Sequence, residues 1–334
     1  MNEYKNTLKK LNKRYGGGTI NEIADMGDIN IERMPTGSYS LDYIMGGGIP
    51  RGRLMEIYGE SSSGKTVLSL FMIRKVQEAG GRAAFLDVEN SFSEDFAKKI
   101  GVDTKKLVLS KAVCAEDVLN IVEELTKTND FDIIVVDSVA SMVPKKELMG
   151  EIGDSHVALQ ARLMSQALRM ITGSASKTKT SLVFLNQIRS KIGMYFGNKE
   201  TTAGGRALKF YASIRIEVKK GKNILGKNDE AIGNWLRMAA TKNKTAMPFR
   251  RTEFELLFEK GVDTLGDTLD FAVRSEVVTI SGNTYSSSDG KKLAVGRNRT
   301  KKYLKANPDA FKKIEAELDN LLKKENDKPD KAKN

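Results

Sequence analysis

One cysteine, one histidine and one tryptophan are all that the 334 residues carry of those types, and each scarcity removes a class of chemistry. Cys114 alone can build neither a disulfide framework nor a cysteine zinc cluster from one copy of the chain. Its nearest cation in sequence is Lys111, so it reads as a small, buried or half-buried side chain and not as an activated thiolate. His156 has no companion ligands arranged about it, so a metal role is not expected, and it reads as a loop residue. No apolar run approaches a membrane span, and the N-terminal stretch MNEYKNTLKKLNKRYGGG contains none of signal-peptide length. The expectation is a protein of the reducing cytoplasm with no membrane partner.

What is present is enough for a large core. Hydrophobic residues make up 40% and charged residues 29% of the chain, which reads as one large globular domain with a smaller one. The net charge of +12 favours a polyanionic partner. From Lys291 to Asn334 there are 14 Lys/Arg against 7 Asp/Glu, so more than half of the excess lies in the last 44 residues.

Tyr4, Leu8, Leu11 and Tyr15 recur at helical spacing and are followed by Gly16, Gly17 and Gly18. This is a short amphipathic helix whose stripe must pack on its own domain or on a neighbouring subunit. From Arg53 onward, nearly continuous apolar runs (Leu54–Tyr58, Ala83–Val88, Ile133–Val136, Leu182–Leu185, Ile214–Val218) alternate with helical stretches at Val67–Ala79 and Ala115–Thr126. Asp154 and Ser155 offer N-cap chemistry for a further helix with Ala161, Met164, Leu168 and Ile171 on one face. That order predicts a mostly parallel α/β sheet with ligands at the carboxyl ends of its strands. Beyond Gly261 shorter helices, a turn region at Tyr285–Lys292 and an amphipathic helix Pro308–Lys323 suggest a small C-terminal domain. The final NDKPDKAKN is too polar to pack and reads as disordered.

Gly59, Glu60, Ser61, Ser62, Ser63, Gly64, Lys65 and Thr66 match G-x-x-x-x-G-K-[ST] between a strand and a helix, the context a phosphate-binding loop requires. The backbone N–H groups and the helix N-terminus would face phosphates, Lys65 would bridge the β- and γ-oxygens, and the Thr66 hydroxyl would meet Mg²⁺. The strand Ile133–Val136 ends in Asp137, the second carboxylate such a metal needs. Hydrolysis also requires a group that orients or deprotonates water. Glu89 and Asp87 both stand at the end of the Ala83–Val88 run. Glu89 ranks first, because side chains alternate where the chain leaves the sheet, and a surface carboxylate in a loop is the competing account of it.

Arg189–Lys209 reads RSKIGMYFGNKETTAGGRALK, with five basic residues (Arg189, Lys191, Lys199, Arg206, Lys209), one acidic residue and four glycines around Met194, Tyr195 and Phe196. Read as a long loop without secondary structure of its own, it is either a lid over the nucleotide or a single-strand surface. In the latter case cations meet phosphates and apolar side chains wedge between bases.

With these residues in place the chain resembles the RecA family of recombinases. Thr36-Gly37-Ser38, EIYGE-SSSGKT, Asp87-Val88-Glu89, VVDSVASMVPK, GEIGDSH, LNQIRSKIG, GNKETTAGGRALKFYAS and KNK-TAMPF match its motifs in order and spacing over roughly residues 34–260, with a weaker likeness to about 322. The resemblance implies an α/β fold: a RecA-like P-loop ATPase core with a mostly parallel sheet, an N-terminal helix for subunit packing and a small α+β C-terminal domain. The domain boundaries expected are 1–33, 34–262 and 263–323, with a disordered basic tail at 324–334. It implies a DNA-dependent ATPase using ATP and Mg²⁺, which forms helical homo-oligomers on single-stranded DNA and pairs that strand with homologous duplex in recombinational repair and the DNA-damage (SOS) response. A self-cleaving repressor and mediator or single-strand-binding proteins are further partners it brings in.

Residue by residue, the resemblance makes Glu89 the catalytic carboxylate and Gln187 the sensor of the γ-phosphate. Lys242 and Lys244 become the pair that reaches the ATP of an adjacent protomer, and Phe96 the ring on adenine. It assigns Gly150, Glu151, Ile152 and Gly153 to a first DNA loop, with Arg162 nearby. Arg189, Lys191, Met194, Tyr195, Phe196, Gly197, Asn198, Gly204, Gly205, Arg206 and Lys209 belong to a second. Ser93 departs from the acidic residue often found against the adenine amino group. Lys220–Ala240 follows the bacterial pattern poorly, and Lys331 and Lys333 stand where an acidic tail is common.

A ring helicase on the same core is the rival machine, but it is not expected to carry this second loop or the KNK pair, and the zinc-bearing branch-migration relative needs cysteines absent here. An ATP-gated scaffold is compatible with the recombinase. Phe196→Ala should weaken single-stranded DNA binding by about 1–3 kcal/mol if the ring stacks on bases, measured by fluorescence anisotropy. Unchanged affinity with impaired folding would assign Phe196 to the core.

Overall fold

The computed structural model describes residues 2–16, 20, 22, 31–151, 158–190, 200–226 and 228–326. They divide into two units at Glu32/Arg33. In the first, α1 (Asn2–Tyr15) places Leu8 and Leu11 half-buried and Tyr4 and Tyr15 exposed. Asn12 closes the turn after it, donating from Nδ2 to the Ile20 carbonyl at 2.6 Å and accepting from its N–H at 2.8 Å.

The second unit opens with a small ribbon, β1 (Arg33–Met34) and β2 (Ile49–Pro50), around α2 (Tyr39–Met45). The core then alternates β3 (Leu54–Gly59), α3 (Lys65–Glu78), β4 (Ala83–Asp87), α4 (Glu94–Ile100), β5 (Leu107–Ser110), α5 (Ala115–Lys127) and β6 (Ile133–Asp137). After a 3-10 turn at Val139–Ser141 come α6 (Lys145–Leu148), α7 (Leu159–Thr178), β7 (Ser181–Ser190), β8 (Glu200–Thr202) and α8 (Ala207–Tyr211). The hairpin β9 (Ile214–Leu225) and β10 (Ala231–Asn243) leads to β11 (Arg251–Leu257) and β12 (Gly261–Val262). The chain closes with α9 (Thr264–Arg274), β13 (Val278–Ser281), β14 (Thr284–Ser287), β15 (Lys292–Val295), α10 (Arg297–Ala306) and α11 (Pro308–Asn326).

The central sheet runs β12-β11-β10-β9-β3-β7-β6-β4-β5. From β9 to β5 every pairing is parallel, while β10, β11 and β12 are antiparallel additions. Strands β3, β4 and β6 are buried along their whole length, because helices cover both faces and leave no room for polar alternation. Met55, Ile57, Phe71, Ile73 and Phe85 belong to the core on one face. Leu54, Val136, Phe184, Met164 and Leu168 belong to the other. Among the described residues no helix is long and apolar enough to cross a membrane.

Four expectations change. The strand expected at Leu182–Leu185 continues to Ser190, and that at Ile214–Val218 continues to Leu225; hydrophobicity stops marking a strand once it leaves the core, while pairing to β8 and β10 carries it on. The stretch Arg189–Lys209 is not without secondary structure: β8 folds back on β7 as an antiparallel hairpin and α8 follows. The turn at Tyr285–Lys292 is the β14–β15 hairpin, with Tyr285 buried and paired to Ile280 and Ala294; its Ser, Asp and Gly content hid two short strands. Helix α7 starts at Leu159 behind Ala158, in the left-handed region at φ 65° and with no side-chain cap. Asp154 and Ser155, expected to cap it, lie outside the described residues, as do His156 and 327–334.

The C-terminal helices and three-stranded sheet have their own core, including Leu269, Phe271, Leu304 and Leu318. They rest on α2 through Tyr39 and Tyr43, whose rings lie 6.1 and 5.6 Å from that of Phe271. Two carboxylates are buried at this seam. Asp42 accepts from the N–H and hydroxyl of Thr36 at 2.9 and 2.7 Å. Asp267 accepts from the Ser40 N–H at 3.4 Å, while its Oδ1 is buried without a hydrogen-bond partner among the described residues. Burial pushes Asp42 up to about 7 and Asp267 up to about 6. The folded state therefore keeps protons that the unfolded chain releases near the ordinary carboxylate pKa. The stability these groups contribute is fully present below that value and is lost as pH rises through about 6 to 7. Thermal melts from pH 5 to 8 should show Asp267→Asn with a shallower decline than the parent; an unaltered slope would place the titration elsewhere.

Candidate active site

The parallel register assembles the site. Gly59 pairs with Gln187 and Asp87 with Asp137, so β3, β4 and β6 end along one edge, which β7 crosses at Gln187. Gly59 must be glycine because a Cβ there would sit 2.1 Å from the Val218 carbonyl oxygen on β9. Gly64, at φ 90°, turns the loop into α3. Glu60, Ser61 and Ser62 are exposed on the loop and Ser63 is buried beneath it.

Lys65 folds across this loop. Its Nζ donates to the Glu60 carbonyl at 2.6 Å, with Gly59 O at 3.3 Å and Ser63 Oγ at 3.4 Å. Burial lowers its pKa, against the pull of Asp137 and Glu89. The Thr66 hydroxyl donates to Asp137 Oδ2 at 2.6 Å. Burial pushes Asp137 up to about 6, with Glu89 and Asp87 adding repulsion and Thr66 and Lys65 opposing it. A carboxylate beside a hydroxyl is a pair suited to a hard divalent cation, although among the described residues no cluster of three His, Cys, Asp or Glu side chains could hold a metal ion.

Glu89 and Asp87 separate cleanly. Asp87 is buried, and its two oxygens accept the N–H groups of Ser91 and Phe92 at 3.0 Å each, which ties the following loop. Glu89 Oε1 instead accepts from Ser138 Oγ at 2.5 Å and Gln187 Nε2 at 2.9 Å, with Ser141 Oγ at 3.4 Å. Glu89 and Gln187 thus meet from strands two positions apart in the sheet. Ser138 and Ser141, which were not singled out from sequence, complete the cradle.

Other expected residues fall elsewhere. Ser93 caps α4 by accepting from the Phe96 N–H at 3.3 Å, a role that aspartate and serine share. Phe96 is half-buried against the core. Lys242 and Lys244 flank the buried Asn243, whose Nδ2 donates to Met45 O at 3.2 Å and whose Oδ1 accepts from the N–H groups of Thr245 and Ala246. Lys242 pairs with Arg215 and Arg215 with Glu56, which is three residues before Gly59. At about 3.3 Å per residue and about 4.8 Å per strand, Lys242 lies roughly 10 Å down the sheet and two strands across from the phosphate loop. Its Nζ donates to the Lys209 and Phe210 carbonyls at 2.5 and 3.0 Å. Burial, then Lys244 and Arg215, lower its pKa.

Of the expected DNA-facing groups, Gly150 and Glu151 follow α6, and Arg162 is exposed in the first turn of α7. Arg189 reaches the Ala140 carbonyl at 3.2 Å, Arg206 is exposed before α8, and Lys209 is half-buried within it. Gly204 and Gly205, both at φ 76°, are needed for packing, since a Cβ would come within 2.8 Å of Val139 and 2.7 Å of Ala161. Ile152, Gly153, Lys191, Met194, Tyr195, Phe196, Gly197 and Asn198 lie outside the described residues. The network of Glu56, Asn186 and Arg215 was missed, although a lone carboxylate inside the apolar strand LMEIYG signals a buried partner.

Family comparison matches the RecA N-terminal domain over residues 2–263 and the RecA C-terminal domain over 266–323. Protein RecA of Lactobacillus acidophilus is 44% identical over 312 residues, spanning 93% of this chain and 85% of the relative. Those of Clostridium novyi and Bacillus velezensis are each 45% identical, spanning 93% of this chain and 89% of the relative. The crystal structure of the RadB recombinase, 19% identical, superposes with a TM-score of 0.52 over 69% of this chain and all of that one, a likeness of fold alone. From the site geometry, Glu89→Gln should retain nucleotide binding and lose hydrolysis by about 10²–10⁴-fold. Asp87→Asn should instead mainly lower the melting temperature. Loss of nucleotide binding by Glu89→Gln would make that residue structural.

Proposed function

The chain belongs to the RecA family of ATP-dependent recombinases that act in DNA repair, and from that premise we propose how its own residues divide the work. The observation that carries the reading is the meeting of Lys65, Thr66, Asp137, Glu89 and Gln187 at one edge of the sheet. ATP is proposed on Gly59–Thr66, with the loop N–H groups and Lys65 on the phosphates. Thr66 and Asp137 would hold Mg²⁺, which when bound screens the charge of the β- and γ-oxygens. Phe96 would face the adenine. Glu89 would accept the proton of the attacking water, while Gln187, already bonded to Glu89, would read the γ-phosphate.

The lysine pair belongs to a second protomer in this reading. What supports it is the position of Lys242 and Lys244 down the sheet from their own phosphate loop. A head-to-tail contact that joins these lysines to a neighbour's phosphates is heterologous, and repeating it generates an open helix. Single-stranded DNA would lie along the Gly150–Gly153 and Arg189–Lys209 segments, ready to be compared with homologous duplex. The cytoplasm is the proposed compartment. Self-cleaving repressors, mediators and single-strand-binding proteins are the proposed partners of the filament.

The experiment mixes two inactive proteins. Lys65→Ala removes the loop cation but keeps Lys242 and Lys244, whereas Lys244→Ala keeps the loop and breaks the pair. Alone, each should lack DNA-stimulated hydrolysis. In an equal mixture about a quarter of the contacts set an intact loop against an intact pair, and a comparable fraction of turnover should return. Co-assembly shown by cross-linking without any recovery would mean that the lysines act within their own chain.

A further inference from the structure

The serine that opens the 3-10 turn after β6 leaves its usual local task undone. Ser138 is the N-cap of Val139–Ser141, yet its hydroxyl accepts nothing from the N–H groups of that turn, the contact that makes serine common at such positions. It is wholly buried, and a buried hydroxyl needs a partner. That partner lies 49 residues away in the chain. Ser138 Oγ donates to Glu89 Oε1 at 2.5 Å, the shortest of three hydrogen bonds on that oxygen. Gln187 Nε2 stands at 2.9 Å and Ser141 Oγ at 3.4 Å.

The neighbouring residue holds the other end of Glu89. The Asp137 carbonyl accepts the N–H groups of Val88 and Glu89 at 2.7 and 3.2 Å, continuing the register in which Asp87 faces Asp137. Glu89 is exposed just past β4, and an exposed glutamate turns about its side-chain bonds unless a contact stops it. Here Asp137 fixes the backbone and Ser138 fixes the carboxylate. The Asp137 side chain meanwhile accepts from the Thr66 hydroxyl at 2.6 Å. One dipeptide therefore sets both the Thr66–Asp137 pair and the glutamate, and a small shift of β6 moves them together. With three donors on Oε1, Glu89 Oε2 has no hydrogen-bond donor among the described residues.

We propose that Ser138 is a positioning residue for hydrolysis, which occupies Oε1 of Glu89 and thereby presents Oε2 to the attacking water. The inference rests on the reading of Glu89 as the group that takes the proton. Ser138 touches neither nucleotide nor water in it. An oxygen that already accepts several hydrogen bonds is a poor base, because its lone pairs are committed and its charge is stabilised. The other oxygen keeps its lone pairs free. It takes the proton that water gives up as the water oxygen bonds to the γ-phosphorus and the bond to the β–γ bridging oxygen breaks, ADP leaving with that electron pair. Ser141, at 3.4 Å, is too far to hold the carboxylate by itself.

The test compares the full chain with Ser138→Ala, Ser141→Ala, Glu89→Gln and the double variant Ser138→Ala/Glu89→Gln. It reads kcat and KM for ATP at saturating single-stranded DNA, together with nucleotide affinity and the melting temperature. Ser138→Ala should lower kcat by about 10–100-fold, the cost of a reacting group left free to wander, with KM, nucleotide affinity and melting temperature close to the parent values. Ser141→Ala should lower kcat less. Because Ser138 acts only through Glu89, the double variant should be no slower than Glu89→Gln alone. If Ser138→Ala does not fold, Ser138→Cys decides the matter: it nearly keeps the shape, donates weakly and should lower kcat in the same way. A parent-like kcat, a loss matched by an equal loss of nucleotide affinity, or a loss that adds to that of Glu89→Gln overturns the proposal and leaves Ser138 as packing. Full turnover by Glu89→Gln overturns the functional reading, and this proposal with it.

Discussion

The register of the parallel strands is the constraint on which the remaining structure depends. Side chains alternate along a strand, so a one-residue slip of β7 against β3 would turn Asn186 away from Glu56 and move Gln187 off the phosphate edge. Apolar burial on both faces specifies that register, since Phe184 and Leu182 serve one core while Leu185 and Val183 serve the other. The site therefore inherits its precision from the core. Lys65, Thr66, Asp137, Glu89 and Gln187 stand at or past the carboxyl limit of the parallel pairings, where polar groups are freed from packing but still held by it.

The antiparallel additions β10, β11 and β12 do different work. Strand β10 carries Lys242 and Lys244 down the sheet from the phosphate loop, Lys242 to the level of Glu56, and the three strands offer a surface to the C-terminal helices. Arg297 fixes that attachment. It grips Asp270 through Nε and Nη2 at 2.8 and 2.7 Å, reaches Glu255 at 3.0 Å and lies over the Trp235 ring at 5.6 Å. Lys301 joins Glu255 and Asp263 to the same network. A planar guanidinium with two carboxylates and an aromatic face is poorly replaced by lysine, so Arg297 strengthens an attachment that Lys301, Tyr39 and Tyr43 share.

The phosphate loop was legible because its chemistry requires contiguous residues; Asp137 was legible only in company with that loop, 71 residues after Thr66, since many strands end in Asp. The choice of Glu89 over Asp87 was legible only in part. Strand alternation ranked them, but the two backbone N–H groups that occupy Asp87 come from a loop whose fold no local pattern announces. Strand lengths were misread where pairing, not burial, sustains the strand, as in Lys219–Leu225. Gly204 and Gly205 were assigned to the second DNA loop by resemblance; their neighbours Val139 and Ala161 belong to other elements, so the packing reason was invisible. The pairing of Glu56 with Arg215 and Asn186 spans 159 and 130 residues of sequence. A buried carboxylate foretells that a partner exists, but not which residue supplies it.

On the proposed reading one protomer holds two incomplete halves of a site. Lys242 is not idle in the single chain: its ammonium closes the last carbonyls of α8, which a five-residue helix leaves without internal partners. The contact satisfies those carbonyls, and partial burial with two neighbouring cations makes the charge costly there. A phosphate is a stronger partner for an ammonium than a carbonyl is, because the hydrogen bond becomes charge-assisted on both sides. On the proposed reading, docking of a neighbour exchanges the weaker partner for the stronger one and relieves the crowding of Lys242, Lys244 and Arg215 in the same step. Nucleotide would then strengthen the contact between protomers, and the contact would complete the nucleotide site. Linkage makes these two statements one free energy seen from either side.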